Sequence, residues 1–269
     1  MTPRKKITPK AIRERKRKGR LIVALTAADF ITARLLDDAA VDIILVGDSV
    51  GTTLLGYEST VPVTMRDMLH HTKAVARAKV SGLVVADMPF GSYHQSKAQA
   101  VRNALRFVRE GGADAVKLEG GLVQKATIAA IVNAGIPVLG HIGLLPQSIL
   151  QEGGYKVQGR TEAQVEALER DIHAVEEAGA FACVLEYICA PIARKLTKMT
   201  SIPTIGIGSG RHCDGQVLVT SDMLGLQGGF APRAVRRYAE LGKEMKTAFE
   251  KFTKDVLKGK FPGKEESFE

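Results

Sequence analysis

The sequence is poor in residues that build several common kinds of site. It has no tryptophan, aromatic residues make up 5% of it, and its three cysteines form no C-x-x-C or Cys/His pattern. An odd number of widely spaced cysteines favours free thiols in a reducing compartment. We therefore expect a cytoplasmic protein in which Cys183, Cys189 and Cys213 have packing roles.

Long apolar stretches are also missing. No run approaches the roughly 18 uninterrupted apolar residues that cross a bilayer. The basic N-terminal segment leads into an ordinary strand pattern without a small-residue cleavage site, so we expect no signal peptide and no membrane partner.

Phosphate-binding glycine motifs are absent as well. The nearest match to G-x-G-x-x-G is GIGSGRHCDG at 206–215, where Arg211 stands at the position of the third glycine. No P-loop pattern occurs. These absences argue against a doubly wound dinucleotide-binding sheet.

The net charge of +9 comes from one segment. Residues 1–20 contain ten Lys or Arg and one acid, whereas the rest of the chain has 28 basic and 28 acidic residues. Such a segment can bind an anionic polymer or act as a transit peptide. We favour a solvated helix that packs across the bottom of the domain through Ile7, Ala11 and Ile12. With a neutral body and few aromatics, we predict no nucleic-acid partner.

Apolar runs alternate with amphipathic helical patterns along the chain. Runs rich in Val, Ile and Leu with little polar alternation are typical of strands buried on both faces of a parallel sheet. Eight such strands with helical crossovers predict an α/β protein, a (β/α)8 TIM barrel with an N-terminal helix, in one domain over 1–269. The predicted strands are 21–26, 43–46, 83–86, 115–118, 137–140, 182–185, 202–207 and 217–220, and the clearest helices are 64–78, 95–110 and 162–178.

Carboxylates follow several of these strands directly. In a barrel the catalytic groups lie at the carboxyl ends of the strands, and acids crowded there repel each other unless a cation neutralises them. Asp48, Asp87 and Glu119 therefore predict a Mg²⁺ site, with Lys117 beside it to hold a substrate carboxylate. The alternative is a salt-bridged network that closes the barrel. Zn²⁺ is less suited, because only His141 lies near a strand end.

Glu186 ends a different strand, between apolar neighbours. A carboxylate in apolar surroundings becomes a stronger base, so Glu186 is the candidate general base. His141 is a possible auxiliary residue that orients a partner or donates a proton, and a purely structural role is equally compatible with the sequence.

Six ordered segments resemble the ketopantoate hydroxymethyltransferase (3-methyl-2-oxobutanoate hydroxymethyltransferase) family. They are IILVGDSVGTTLLGYESTVPVTMRDMLHHTKAVARA, VVADMPFGSY, AVKLEGG, PVLGHIGLLPQS, GGYKVQGR and IPTIGIGSGRHCDGQVLV, and the likeness runs over essentially the whole chain. It implies a Mg²⁺-dependent barrel of the phosphoenolpyruvate/pyruvate-binding type. Such enzymes transfer a hydroxymethyl group from 5,10-methylenetetrahydrofolate to 3-methyl-2-oxobutanoate through a Mg²⁺-stabilised enolate. The product is 2-dehydropantoate, on the route to pantothenate and coenzyme A.

The resemblance also implies residue roles. Asp48, Asp87 and Glu119 match the family's metal positions, with one Mg²⁺ per subunit. Asp48, Ser49, Asp87 and Lys117 match its contacts to the keto acid. The family further implies a homodecamer.

In the same family pattern Glu186 matches the proton acceptor. Ala28 stands where the family usually has Tyr, and Ser221 stands where His is common. Neither departure removes a metal or base residue. A Mg²⁺-dependent carbon–carbon lyase of the isocitrate lyase type is the alternative enzyme, although such lyases usually carry a loop cysteine that Cys183 and Cys189 do not match.

Overall fold

The eight strands close into a parallel barrel. A computed structural model of the chain describes residues 4–154, 156–227 and 233–268. Each strand pairs in parallel with the next along the chain, and β8 pairs with β1. The predicted TIM barrel is confirmed. The strands are β1 Ile22–Thr26, β2 Ile43–Val46, β3 Leu83–Asp87, β4 Ala115–Lys117, β5 Val138–Gly143, β6 Ala182–Glu186, β7 Thr204–Ile207 and β8 Gly215–Leu218.

Helices connect the strands as the sequence patterns predict. The N-terminal α1 Pro9–Arg17 precedes β1. Thr64 and Thr161 form capping boxes at the starts of the helices Met65–Arg77 and Glu162–Glu177. The other helices are α2 Phe30–Asp38, α3 Val50–Thr53, α4 Met65–Arg77, α5 Lys97–Arg106, α6 Lys125–Asn133, α7 Ile149–Glu152, α8 Glu162–Glu177, α9 Ala190–Met199, α10 Thr220–Met223 and α11 Leu241–Leu257.

Two compact units make up the chain, Met1–Leu218 and Val219–Glu269. The first contains the whole barrel. Its core has two layers, one inside the barrel and one between the strands and the surrounding helices. The prediction of a single domain over 1–269 stays a prediction. Among the described residues, no helix has the length and apolarity that crossing a membrane requires.

The basic N-terminal segment packs onto the barrel. Ile7 and Ile12 are buried in the layer of side chains inside the barrel, and Ala11 packs against it, as predicted. Arg4 and Arg15 each place a guanidinium nitrogen 2.6 Å from the buried carboxylate of Asp42. The cations of this segment thus pair with an acid that precedes a strand.

Two lysines of the segment make similar pairs. Lys6 lies 2.6 Å from Asp114, and Lys16 lies 2.9 Å from Asp214. Because these acids precede β4 and β8, the segment contacts the amino-terminal ends of strands from several parts of the barrel. Part of the positive charge of this segment therefore forms ion pairs that hold it on the barrel.

Asp42→Asn is expected to lower the free energy of unfolding by about 1–3 kcal/mol, because hydrogen bonds to charged groups contribute that much. Asp42 accepts from both arginines and from the backbone N–H of Val23. Glu14→Gln is the matched control, since the Glu14 side chain is 44% exposed and 3.9 Å from Lys18, and it should cost about 0.5 kcal/mol or less. Urea unfolding measures both. Equal, small effects would contradict a stabilising role for Asp42.

Candidate active site

Six polar side chains meet where β2 to β6 end. They belong to strand-end residues that the sequence singled out, and five of them are nearly inaccessible to solvent. Consecutive strands of a closed barrel bring their carboxyl ends to one mouth, which is why residues far apart in the chain become neighbours. They are Asp48, Asp87, Lys117, Glu119, His141 and Glu186.

Lys117 and Asp87 form the buried ion pair of this cluster. The ammonium nitrogen is 2.7 Å from Asp87 Oδ1, and both side chains are at most 6% exposed. The other oxygen of Asp87 accepts a hydrogen bond of 3.1 Å from the backbone N–H of Asp48. Burial alone would lower the pKa of Lys117, but the carboxylates of Asp87, Glu119 and Asp48 outweigh it and raise that pKa. Lys117 is therefore a cation.

Gln147 links the other two carboxylates. Its side-chain Nε2 donates to Asp48 Oδ2 at 2.8 Å, and its backbone N–H donates to Glu119 Oε2 at 3.0 Å. Gln147 lies in the short turn Pro146–Ser148 that follows β5. Gln147 is not among the site residues predicted from the sequence, although it lies within the family-like segment PVLGHIGLLPQS.

The positive charge of Lys117 does not fully offset the burial of the other two carboxylates. Burial, with the neighbouring Asp87, raises the pKa of Asp48 to about 7. Burial also raises the pKa of Glu119 well above its usual value, and Asp48 adds to that effect. Both shifts have the sign expected of acids that lack a compensating cation.

The donor chemistry of these residues fits Mg²⁺. Buried carboxylate oxygens without thiolates are the ligands of a hard divalent cation. Within the described ranges, no three His, Cys, Asp or Glu side chains stand close enough to enclose a metal ion as they are placed. Asp87 is turned to Lys117, and Asp48 and Glu119 are held by Gln147. The proposed ligand set therefore stays a prediction.

His141 connects Lys117 to Glu186. Its Nδ1 is 3.3 Å from Lys117 Nζ, and its Nε2 is 3.2 Å from Glu186 Oε2. Burial, together with the Lys117 charge, lowers the pKa of His141, so the ring is neutral near pH 7. Because an ammonium only donates, Nδ1 must accept from it and Nε2 must carry the ring proton. The Nε2–H of His141 therefore lies 3.2 Å from Glu186 Oε2 as a close polar contact, without hydrogen-bond geometry.

Glu186 is the most accessible group of the cluster, with a side chain that is 14% exposed. The expectation of apolar surroundings is wrong for its carboxylate. Leu185 is buried, but neighbours along a strand point to opposite faces, so the Glu186 carboxylate contacts His141 instead. Tyr187, directly after it, has a left-handed backbone with φ of +49°, a conformation that occurs mainly at constrained sites in bulky residues.

Ser49 lies beside the same cluster. A Cβ atom on Gly47 would be 2.9 Å from Ser49 Oγ and 3.5 Å from Asp87 Oδ2. Glycine at position 47 therefore leaves a small space that both side chains border, next to the strand end that carries Asp48.

Comparison with known proteins identifies the family. A sequence model described as ketopantoate hydroxymethyltransferase matches residues 6–264. The chain belongs to the ketopantoate hydroxymethyltransferase family. The resemblance found in the sequence is confirmed.

Members of this family resemble the chain along almost its whole length. A 3-methyl-2-oxobutanoate hydroxymethyltransferase of Moorella thermoacetica (strain ATCC 39073 / JCM 9320) is 53% identical over 268 residues, which cover 100% of both chains. A protein of the same name from Thermoanaerobacter sp. (strain X514) is 53% identical over 263 residues, 98% of this chain and 96% of that one.

Solved structures outside the ketopantoate hydroxymethyltransferase family share the fold. A phosphonopyruvate hydrolase, solved as a complex with oxalate and Mg²⁺, superposes with a TM-score of 0.63 at 15% identity, over 95% of this chain and 89% of that one. A 2,3-dimethylmalate lyase of the PEP mutase/isocitrate lyase superfamily gives a TM-score of 0.60 at 18% identity, over 96% and 91%. At these identities the likeness concerns the barrel alone.

Two glycines after Glu119 fix its loop. Gly120 has φ of +113°, and its N–H donates to His141 O at 2.9 Å. A Cβ on Gly121 would overlap the side chain of Asp171 from α8. The same Asp171 accepts a hydrogen bond from the backbone N–H of Leu122 at 2.8 Å. The glycine pair thus lets the loop turn tightly and approach α8.

Gly121→Ala is expected to destabilise the protein by up to about 3 kcal/mol, the upper end for overpacking, and to reduce turnover because the loop carrying Glu119 must move. Gly91→Ala is the control: φ is +81° there, but an added Cβ meets open space, so about 1 kcal/mol is expected. Urea unfolding and steady-state kinetics measure these effects. Wild-type stability and turnover in Gly121→Ala would show that the loop tolerates a side chain.

Proposed function

We propose that the chain catalyses the reaction for which its family is named. It transfers a hydroxymethyl group from 5,10-methylenetetrahydrofolate to 3-methyl-2-oxobutanoate and gives 2-dehydropantoate, in pantothenate and coenzyme A biosynthesis. The observation that carries this proposal is the buried cluster at the barrel mouth, in which Glu186 contacts neutral His141 beside three carboxylates and Lys117.

In this proposal Asp48, Asp87 and Glu119 hold one Mg²⁺ per subunit. The fit of these buried carboxylates to a hard cation supports it, as do the raised pKa values of Asp48 and Glu119. Mg²⁺ bound there would act as a Lewis acid on the keto and carboxylate oxygens of the substrate, favouring loss of the C3 proton.

The chain's own groups bind the keto acid. Lys117, held as a cation, supplies positive charge for the substrate carboxylate. Ser49 borders the same space through its hydroxyl, which can donate a hydrogen bond. Asp48 and Asp87 complete the proposed contacts. These groups orient the substrate so that C3 faces Glu186.

Glu186 then acts as the general base. Its carboxylate takes the C3 proton, and the electron pair of the broken C–H bond is delocalised as the enolate. His141, whose Nε2 lies 3.2 Å from Oε2, keeps the carboxylate oriented and leaves its other oxygen for the proton. Water adds to the methylene carbon of the folate donor and both of its C–N bonds break, which releases tetrahydrofolate, whose two nitrogens take the water protons, and formaldehyde. C3 of the enolate then attacks the formaldehyde carbon, and the resulting alkoxide takes back the proton held by Glu186.

The test is an NMR assay of purified protein with 3-methyl-2-oxobutanoate, 5,10-methylenetetrahydrofolate and Mg²⁺. The proposal expects 2-dehydropantoate and tetrahydrofolate in equal amounts. A chain that consumes neither substrate, with Mg²⁺ present and the protein folded, does not catalyse this reaction.

We also propose that the chain acts as a cytoplasmic homodecamer. The family resemblance supports this state, as do apolar side chains on α2 that are more than 60% exposed, Ile31 and Leu35. Light scattering at micromolar concentration should give the mass of ten chains, and a monomeric mass would contradict the proposal.

A further inference from the structure

Gln147 is a neutral residue at the centre of the charged cluster. It is 2% exposed, and it contacts residues from three other segments. Besides the bonds to Asp48 and Glu119, its Nε2 donates to Met88 O at 3.0 Å, and its Oε1 accepts from the hydroxyl of Tyr93 at 2.7 Å.

Both N–H donors and the carbonyl oxygen of this amide form hydrogen bonds. A carboxamide has two N–H donors and one carbonyl acceptor. Asp48 and the Met88 carbonyl accept, so they require the N–H groups, and Tyr93 donates to the oxygen. A glutamate carboxylate at this position would have no N–H to donate, and a methionine thioether would have no N–H and only a weakly accepting sulfur. The contacts therefore select glutamine and fix the orientation of its amide.

Tyr93 extends the same arrangement to Glu119. Its hydroxyl oxygen accepts from the backbone N–H of Glu119 at 3.2 Å while donating to Gln147. Gln147 thus holds Asp48 through its side chain, and it holds Glu119 through its backbone N–H and through Tyr93. Gln147 engages one oxygen of each carboxylate, and the other oxygen of Glu119 lies 3.6 Å from His141 Nδ1 without a hydrogen bond from Gln147.

We propose that Gln147 is a positioning residue of the Mg²⁺ site, which fixes the orientation of Asp48 and Glu119 as ligands. This inference rests on the proposed function for the identity of the cation. Residues that hydrogen-bond to metal ligands typically contribute about 10–100-fold to metal affinity or activity.

The experiment measures the dissociation constant of Mg²⁺ by calorimetry in full-length Gln147→Glu and Gln147→Met. Gln147→Glu keeps an acceptor for Tyr93 but loses both donors, and Gln147→Met removes every polar atom. Both should bind Mg²⁺ about 10–100-fold more weakly. In turnover, the Mg²⁺ concentration for half-maximal rate should rise by more than the maximal rate falls.

Gln99→Glu is the matched control. Gln99 is partly buried, and its Nε2 donates to Gly91 O at 2.9 Å, away from the carboxylates. It should keep wild-type Mg²⁺ affinity. Tyr93→Phe is a second variant in case the Gln147 variants do not fold, because it removes only the hydroxyl. Tyr93→Phe should weaken Mg²⁺ binding several-fold, which is less than the roughly 10-fold minimum expected for the Gln147 variants.

The outcomes separate this inference from the proposed function. If wild type binds Mg²⁺ and turns over, but the folded Gln147 variants and Tyr93→Phe keep wild-type Mg²⁺ affinity, the role of Gln147 is structural and the inference is overturned. If wild type turns over without any Mg²⁺, the metal part of the proposed function fails first. Weaker Mg²⁺ binding in the variants with wild-type affinity in Gln99→Glu supports the inference.

Discussion

Glu186→Gln should lower turnover by about 10²–10⁴-fold, the usual contribution of a general base. Glutamine keeps the size of the side chain and its contact with His141, but it cannot take a proton. The proposed Mg²⁺ ligands lie on other strands, so the affinities for Mg²⁺ and for the keto acid should change little. Stopped-time product assays and calorimetry measure these quantities.

The matched control is Glu166→Gln, since Glu166 is 62% exposed on α8. It should leave turnover at the wild-type level. A Glu186→Gln variant that turns over like wild type would remove Glu186 from the role of base, and His141 would then be the residue to test.

Asp87→Asn should weaken Mg²⁺ binding by at least about 100-fold. Loss of a residue that only hydrogen-bonds to a metal ligand costs up to about 100-fold, and loss of a ligand should cost at least as much. The change removes a proposed ligand charge. It also leaves the buried ammonium of Lys117 without its 2.7 Å partner, so turnover should be lost at ordinary Mg²⁺ concentrations. Calorimetric titration with Mg²⁺ measures the first effect.

Asp29→Asn serves as the control for this substitution. Asp29 caps α2 by accepting from the backbone N–H of Thr32 at 2.8 Å, and asparagine caps as well as aspartate. Mg²⁺ affinity should not change. If Asp87→Asn also bound Mg²⁺ normally, the pair of Asp87 and Lys117 would be a purely structural salt bridge, the alternative that the sequence left open.

The barrel could be predicted from the sequence because buried parallel strands consist of apolar runs. The prediction was wrong about the bounds of a strand whose residues are not apolar. It placed the last strand at 217–220, whereas β8 is Gly215–Leu218 and Thr220 begins α10. Gly215 and Gln216 give no strand signal, yet Gly215 fits because a Cβ there would lie 2.5 Å from Ile22 O. Only the closure of the barrel reveals that requirement.

The charged part of the site could be predicted for a similar reason. Carboxylates directly after apolar strands stand out, and the topology brings them together. Gln147 and Tyr93 could not be found this way, because neutral residues in loops have no such pattern. The hydrogen bond between Gln147 and Asp48 joins residues 99 positions apart. The contact of Glu186 with His141, which replaces the expected apolar surroundings, likewise depends on the register of β5 against β6.

Exchange of the C3 proton of 3-methyl-2-oxobutanoate in heavy water, with no folate present, tests the central claim most directly. It isolates proton removal from the transfer step. The account predicts that wild type replaces this proton with deuterium when Mg²⁺ is present, that a chelator stops the exchange, and that Glu186→Gln exchanges about 10²–10⁴-fold more slowly. Exchange at the wild-type rate in Glu186→Gln, or in protein stripped of metal, would contradict it.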